Sequence, residues 1–236
     1  MRCLQGERLD RMTFTHLNKI NLPKLETKMI EHKRYYVTPE NIYCPSVTTV
    51  LADYDNEGLI KWREEVGEKM ADYISFQATS SGSEFHKIIA DYLSNRLDLS
   101  EYKKLLPKAH FHNVKHLLDK INNIYGLDTH LHSNILRLAG SADCIAEFDG
   151  VLSIIDFKTA KREKKEEHLR KYFLQETAYS IMARECANTQ ANQIVTIISG
   201  EDGWSDAIIK HEADYEEELV QIVEDYHTAN EIIIND

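Results

Sequence analysis

The sequence predicts an α/β fold, with strands gathered late in the chain and helices before and after them. Apolar residues recur at helical spacing over 57–75, 85–93 and 108–121. They change to β-rich runs over 142–157, on either side of an Asp149-Gly150 dipeptide, and return to helical spacing over 166–186. With 236 residues, 42% of them hydrophobic, the chain can build one large core. It reads as one domain over 1–236: a lead-in over 1–44, a mainly helical stretch over 45–125, and a sheet with flanking helices over 126–236.

In order, the lead-in is strand-poor apart from an extended piece at Lys33 to Val37, ended by Pro39. Ser46 caps a short helix over Val47 to Leu51. A longer helix covers Glu57 to Ser75 through Leu59, Trp62, Val66, Met70 and Tyr73. Ser81 and Glu84, three residues apart, have the form of a capping box and start a new helix through Phe85, Ile88, Ile89, Tyr92 and Leu93, with His86 near its first turn. A helix over 108–124 follows, then two short strands over 127–138 around Ser133-Asn134. Past the Asp149-Gly150 hairpin, the helix over 166–186 carries Gln175 and Tyr179 at i and i+4, on one face. A second hairpin pairs Gln193–Ser199 with Trp204–Lys210, and a last helix covers Ala213 to Ile232.

The first hairpin carries the chemistry. A type I′ turn at Asp149-Gly150 sets Phe148 opposite Val151, and counting outward brings Asp143 opposite Asp156 and Lys158 opposite Ser141. Opposed Cβ atoms lie about 4.5–5.5 Å apart. Two bare carboxylates there repel by roughly 3 kcal/mol at an effective dielectric near 20, and a cation between them reverses the sign. The other face, with Ala142, Cys144, Ala146, Phe148, Ile155 and Phe157, suits a core. Ile145, Leu152 and Ile154 share the charged face, so that face is covered too; its charges are then paired, metal-bound or catalytic.

No apolar run reaches the roughly eighteen residues of a membrane span. Met1 to Asp10 lacks an apolar h-region and carries Glu7 and Asp10, unlike a signal or transit peptide. Cys3, Cys44, Cys144 and Cys186 lie far apart without a Cys-x-x-Cys pair, which points to a reduced, cytoplasmic protein. A net charge of −11 speaks against a non-specific nucleic-acid coat. Residues 158–171 nevertheless hold seven Lys and Arg against three Glu. Within this strip Lys161, Arg162, Lys164 and Lys165 can track phosphates, or form a solvated loop.

The segments Ser81-Gly-Ser-Glu-Phe-His86, Gly140-Ser-Ala-Asp143 and Ile155-Asp-Phe-Lys-Thr159, followed by Gln175 with Tyr179, resemble in this order the PD-(D/E)xK nuclease superfamily. The resemblance is to its RecB-like exonuclease branch, which includes phage exonucleases and a mitochondrial genome maintenance exonuclease. Pro45-Ser-Val-Thr-Thr-Val-Leu51 is similar to the N-terminal region of that branch. The resemblance covers roughly 45–185 and implies a restriction-endonuclease-like core, a central mixed β-sheet flanked by helices with an N-terminal helical region.

It further implies that Asp143, Asp156 and the Phe157 carbonyl bind a divalent metal, Mg²⁺ or Mn²⁺, with His86 as a further ligand or neighbour. Lys158 would orient or help deprotonate the attacking water, and Gln175 and Tyr179 would contact DNA or buttress the site. Ser81 and Ser83 belong to the expected DNA surface. Asp128 stands where a Glu is expected and reaches one methylene less. The cysteine spacing does not support the iron–sulfur cluster of some relatives. The expected activity is a metal-dependent DNA exonuclease favouring single strands or free ends, in replication, recombination or repair with partner proteins of those processes, acting in the cytoplasm or, if phage-encoded, in the host's. The alternatives are a non-catalytic DNA-end binding module, an endonuclease, or an RNA-directed nuclease with the same site.

Overall fold

The computed structural model describes residues 13–17, 19–54 and 56–230. The N-terminal stretch Met1 to Asp10, Cys3 and the expected helix end at Ile232 lie outside them. The lead-in is not strand-poor: β1 (Glu26–Ile30), β2 (Lys33–Val37) and β3 (Tyr43–Pro45) form an antiparallel sheet. Leu25, Tyr36 and Cys44 pack it onto Ala139 of the main sheet. Helix α1 (Val47–Tyr54) starts as expected, with Ser46 Oγ accepting from the Thr49 N–H at 3.1 Å.

The expected helix over 57–75 is two elements, α2 (Glu57–Val66) and α3 (Glu68–Leu93), broken at Gly67, whose φ of 82° suits glycine. Helix α3 then runs straight through Ser80 to Glu84, so the capping box does not form. Ala71, Phe85, Ile88 and Ile89 are buried along one continuous helix, and that burial outweighs a local stop signal. Helix α4 (Leu105–Leu118) ends earlier than the expected 124. Ile121 already opens β4 (Ile121–Ser133), where it pairs with Phe148. β4 is one long strand with an irregularity between Asn122 and Gly126, in place of two short strands.

After β5 (Leu138–Phe148) and β6 (Val151–Ala160) come α5 (Arg170–Ala187), β7 (Gln193–Gly200), β8 (Ser205–His211) and α6 (Glu216–Asn230). The sheet order is β4-β5-β6-β7-β8, and only β6 and β7 run parallel, joined by the α5 crossover. The fold is thus a mixed sheet flanked by helices. Both sheet faces are buried, as the hairpin's apolar residues predicted. Ile145 and Ile154 pack with Leu174 and Ala178 of α5, whereas Cys144, Ile155 and Phe157 pack with Phe85 of α3 and Phe111 of α4. No helix among the described residues is long and apolar enough to cross a membrane.

Candidate active site where two strands part

The β5–β6 ladder runs from Phe148–Val151 to Cys144–Ile155 and stops one step short of the acidic pair. Beyond it, β6 stays with β7, pairing Asp156 with Thr196 and Lys158 with Ile198. β5 stays with β4, pairing Ser141 with His130, so Lys158 does not face Ser141. Asp143 and Asp156 stand where the strands part. A side chain replaces the ladder there: the Phe157 N–H donates to Asp143 Oδ2 at 3.1 Å.

That same oxygen lies 3.2 Å from His86 Nδ1 of α3. Asp156 is 2% exposed and ion-paired to Lys158 through Oδ2, an oxygen with no hydrogen bond among the described residues. The two acids are driven apart in strength. Burial opposes the Asp143 charge, but His86, Lys158 and the Phe157 N–H more than offset it and hold the carboxyl below its usual range. Burial dominates at Asp156 and, with the Asp143 charge added, pushes it up to about 6 despite Lys158. Burial also opposes the charges of Lys158 and His86, yet the neighbouring carboxylates raise both above their ordinary values. The two carboxylates thus favour the charged form of Lys158.

Helix α5 supplies the other wall. Gln175 Nε2 donates to Asp156 Oδ1 at 3.1 Å and to the Tyr179 hydroxyl at 3.3 Å, and Gln175 Oε1 accepts from Lys158 Nζ at 3.4 Å. One amide therefore orients both an acid and the lysine. The fit depends on Gly140, because a Cβ there would meet Tyr179 Cε1 at 2.7 Å.

Two residues escaped the sequence reading. The Tyr172 ring lies 5.1 Å from Lys158 Nζ and equally far from Lys164 Nζ; its place three residues before Gln175 on the same helix was a usable signal. Glu176 is fully buried and accepts from the hydroxyl of Thr196, the residue opposite Asp156, while its Oε2 has no partner among the described residues. Burial and then Asp156 raise it well above the usual carboxylate range. A charge-bearing residue in a helix reads as solvent-facing, so nothing local marked it.

The remaining expected residues lie farther out. Asp128 has a positive φ of 46° and an exposed side chain; desolvation and then Asp143 raise its carboxyl. It makes no hydrogen bond to the site among the described residues. Ser83 is exposed, and Ser81 sits mid-helix with a buried Oγ that has no partner among the described residues. Lys161, Arg162 and Lys165 are exposed just past β6, while Lys164 donates to the Tyr172 hydroxyl at 2.9 Å.

Among the described residues no three His, Cys, Asp or Glu side chains form a ready-made metal cage. The donors do suit a hard dication: two neighbouring carboxylates, one with a buried oxygen that among the described residues meets only an ammonium, and an imidazole beside them.

A family model described as the PD-(D/E)XK nuclease superfamily matches residues 51–229. The chain belongs to that superfamily. It is 30% identical over 213 residues to the mitochondrial genome maintenance exonuclease 1 of Xenopus tropicalis, covering 79% of this chain and 58% of that one. Over 129 residues it is 30% identical to the mouse protein of the same name, covering 51% and 38%. The chain thus spans less than two-thirds of either relative. A solved Eubacterium rectale chain superposes with a TM-score of 0.43 at 12% identity, over 62% of this chain and 63% of that one.

Proposed function

We propose that this nuclease-superfamily chain is a divalent-metal-dependent DNA exonuclease that prefers single-stranded DNA or free ends and works as one domain. The observation that carries the reading is the parted β5–β6 end, where Asp143, Asp156 and Lys158 converge with Gln175 holding two of them. Asp143, Asp156 and the Phe157 carbonyl would hold Mg²⁺ or Mn²⁺, with His86 beside them and Asp128 as an outer carboxylate. A bound dication neutralises charge on the phosphate and lowers the pKa of water. Lys158 holds the attacking water beside the scissile phosphate and offers positive charge to the phosphate oxygens as negative charge builds on them. Gln175 keeps Lys158 and Asp156 in register, and Tyr179 buttresses that amide. The exposed Lys161, Arg162 and Lys165, with Lys164 beside Tyr172, give a phosphate track leading from the site.

Exonuclease action draws on the relatives' names, which speak of genome maintenance; a role in replication, recombination or repair is our extension of those words. Labelled linear single-stranded DNA with Mg²⁺ or Mn²⁺ should be shortened by the wild type and not by Asp156→Ala; equal degradation by both rejects the reading. Circular single-stranded DNA should resist, and its cleavage would favour an endonuclease. Divalent-dependent binding without nucleotide release would leave the non-catalytic end-binding module.

A further inference from the structure

Where β6 ends, two residues past Lys158, a groove of ≈ 650 Å³ opens between the middle of α3 and the start of α4. That volume lies within the range of about 300–1,000 Å³ typical of ligand sites. Thr159 to Lys161 form one wall, so the groove is continuous with the strand that bears the candidate catalytic residues.

Its lining is mostly apolar with polar groups set in it. Tyr73 on α3 is 61% exposed and stands across from Leu105 and Leu106, which are also exposed. Lys104 ties this wall to α3 by donating to the Ser80 carbonyl at 3.0 Å. Deeper in, buried His110 shares a 2.8 Å hydrogen bond with Ser199, and the buried Ser81 hydroxyl has no partner among the described residues. A buried hydroxyl left unsatisfied in a groove marks a place where an occupant's polar atom belongs. At the catalytic end exposed Lys161 brings positive charge and exposed Glu201 one negative charge, with Lys104 adding a second cation to the lining.

We infer that this groove takes the unpaired bases of the strand whose backbone passes Lys158, with Tyr73 as the stacking platform, Leu105 and Leu106 as the facing wall, and Lys161 on the phosphates. This rests on the nucleic-acid chemistry proposed above and names the residues that select single strands. A duplex turns its phosphates outward and keeps its bases stacked inside, so it would set charged backbone against this apolar wall. A free strand offers a π-face and a phosphate side by side, matching an aromatic and a lysine across one groove.

The test compares binding of an oligothymidylate with an abasic strand of equal length, measured by fluorescence anisotropy in the full chain carrying Lys158→Ala to prevent turnover. The groove predicts that this protein binds the oligothymidylate at least about fivefold more tightly, the worth of roughly one stacked base. Adding Tyr73→Ala should abolish the difference while leaving abasic-strand affinity unchanged, and Tyr73→Trp should restore it. Because Tyr73 is exposed, a folding defect is not expected, and unchanged abasic binding checks for one. An undiminished base preference after Tyr73→Ala, or no preference to begin with, overturns the inference and leaves the nuclease reading standing. Failure to bind either strand overturns both.

Discussion

The two ends of the β5–β6 hairpin are built from the same pair of strands and obey different rules. At the closed end, Asp149 and Gly150 take φ of 49° and 83°, the left-handed pair a type I′ turn needs, and the ladder is regular from Phe148–Val151 onward. At the open end the ladder stops at Cys144–Ile155, and each strand keeps only its outer neighbour. One buried and one half-buried carboxylate, a lysine and a glutamine amide occupy the place where backbone hydrogen bonds would have continued. The closed end stabilises the fold. The open end carries groups whose burial costs stability and whose crowding is useful for chemistry.

The largest effect that tests this contrast belongs to Lys158→Arg. The substitution keeps the charge but replaces a compact ammonium, held between Asp156 and Gln175, with a wider planar guanidinium of different hydrogen-bond geometry. Turnover should fall by about a hundredfold or more, while the circular dichroism spectrum stays native. Retained turnover would mean that the lysine serves only as a counter-charge. Next comes Gln175→Ala, which frees Asp156 and Lys158 together; steady-state kinetics should show a drop of about ten- to a hundredfold, mostly in kcat.

The acids add a pH dependence of defined sign. Asp156 is pushed up to about 6 from an ordinary 3.8, so the folded protein holds a proton there that the unfolded chain has lost. Its contribution to stability therefore falls as pH rises through that window. A cation needs the ionised form. In protein stripped with a chelator, Mn²⁺ affinity measured by titration should drop about tenfold per pH unit below about 6, and a flat profile would contradict the assignment.

The smallest effect belongs at the other end. Gly150→Ala forces a side chain into positive φ and should cost about 1 kcal/mol in urea unfolding with kcat unchanged. A loss of activity there would erase the distinction between the two ends.

The closed end was legible because its rules are local. The turn dipeptide and the period of two fixed the Phe148–Val151 register, and counting from it brought Asp143 and Asp156 to within one step of their observed places. Parting of the strands was not legible, because it depends on β4 and β7 holding on from either side. The same limit hid the continuity of α3 through Ser81, where burial of Phe85 and Ile88 overrides the serines, and the antiparallel sheet in the lead-in, whose support comes from distant Ala139. Gln175 and Tyr179 share one face of α5, as their spacing of four predicted. Glu176, beside them in sequence, was missed because only the tertiary fold shows that its side of the helix is closed.

Mn²⁺ binding, followed by electron paramagnetic resonance in the wild type and in Asp143→Asn/Asp156→Asn, bears most directly on the central claim that these two carboxylates are held together to grip a dication. The wild type should take up Mn²⁺ and gain thermal stability from it, while the folded double variant should do neither. Equal uptake by both proteins would place the cation elsewhere and contradict the account.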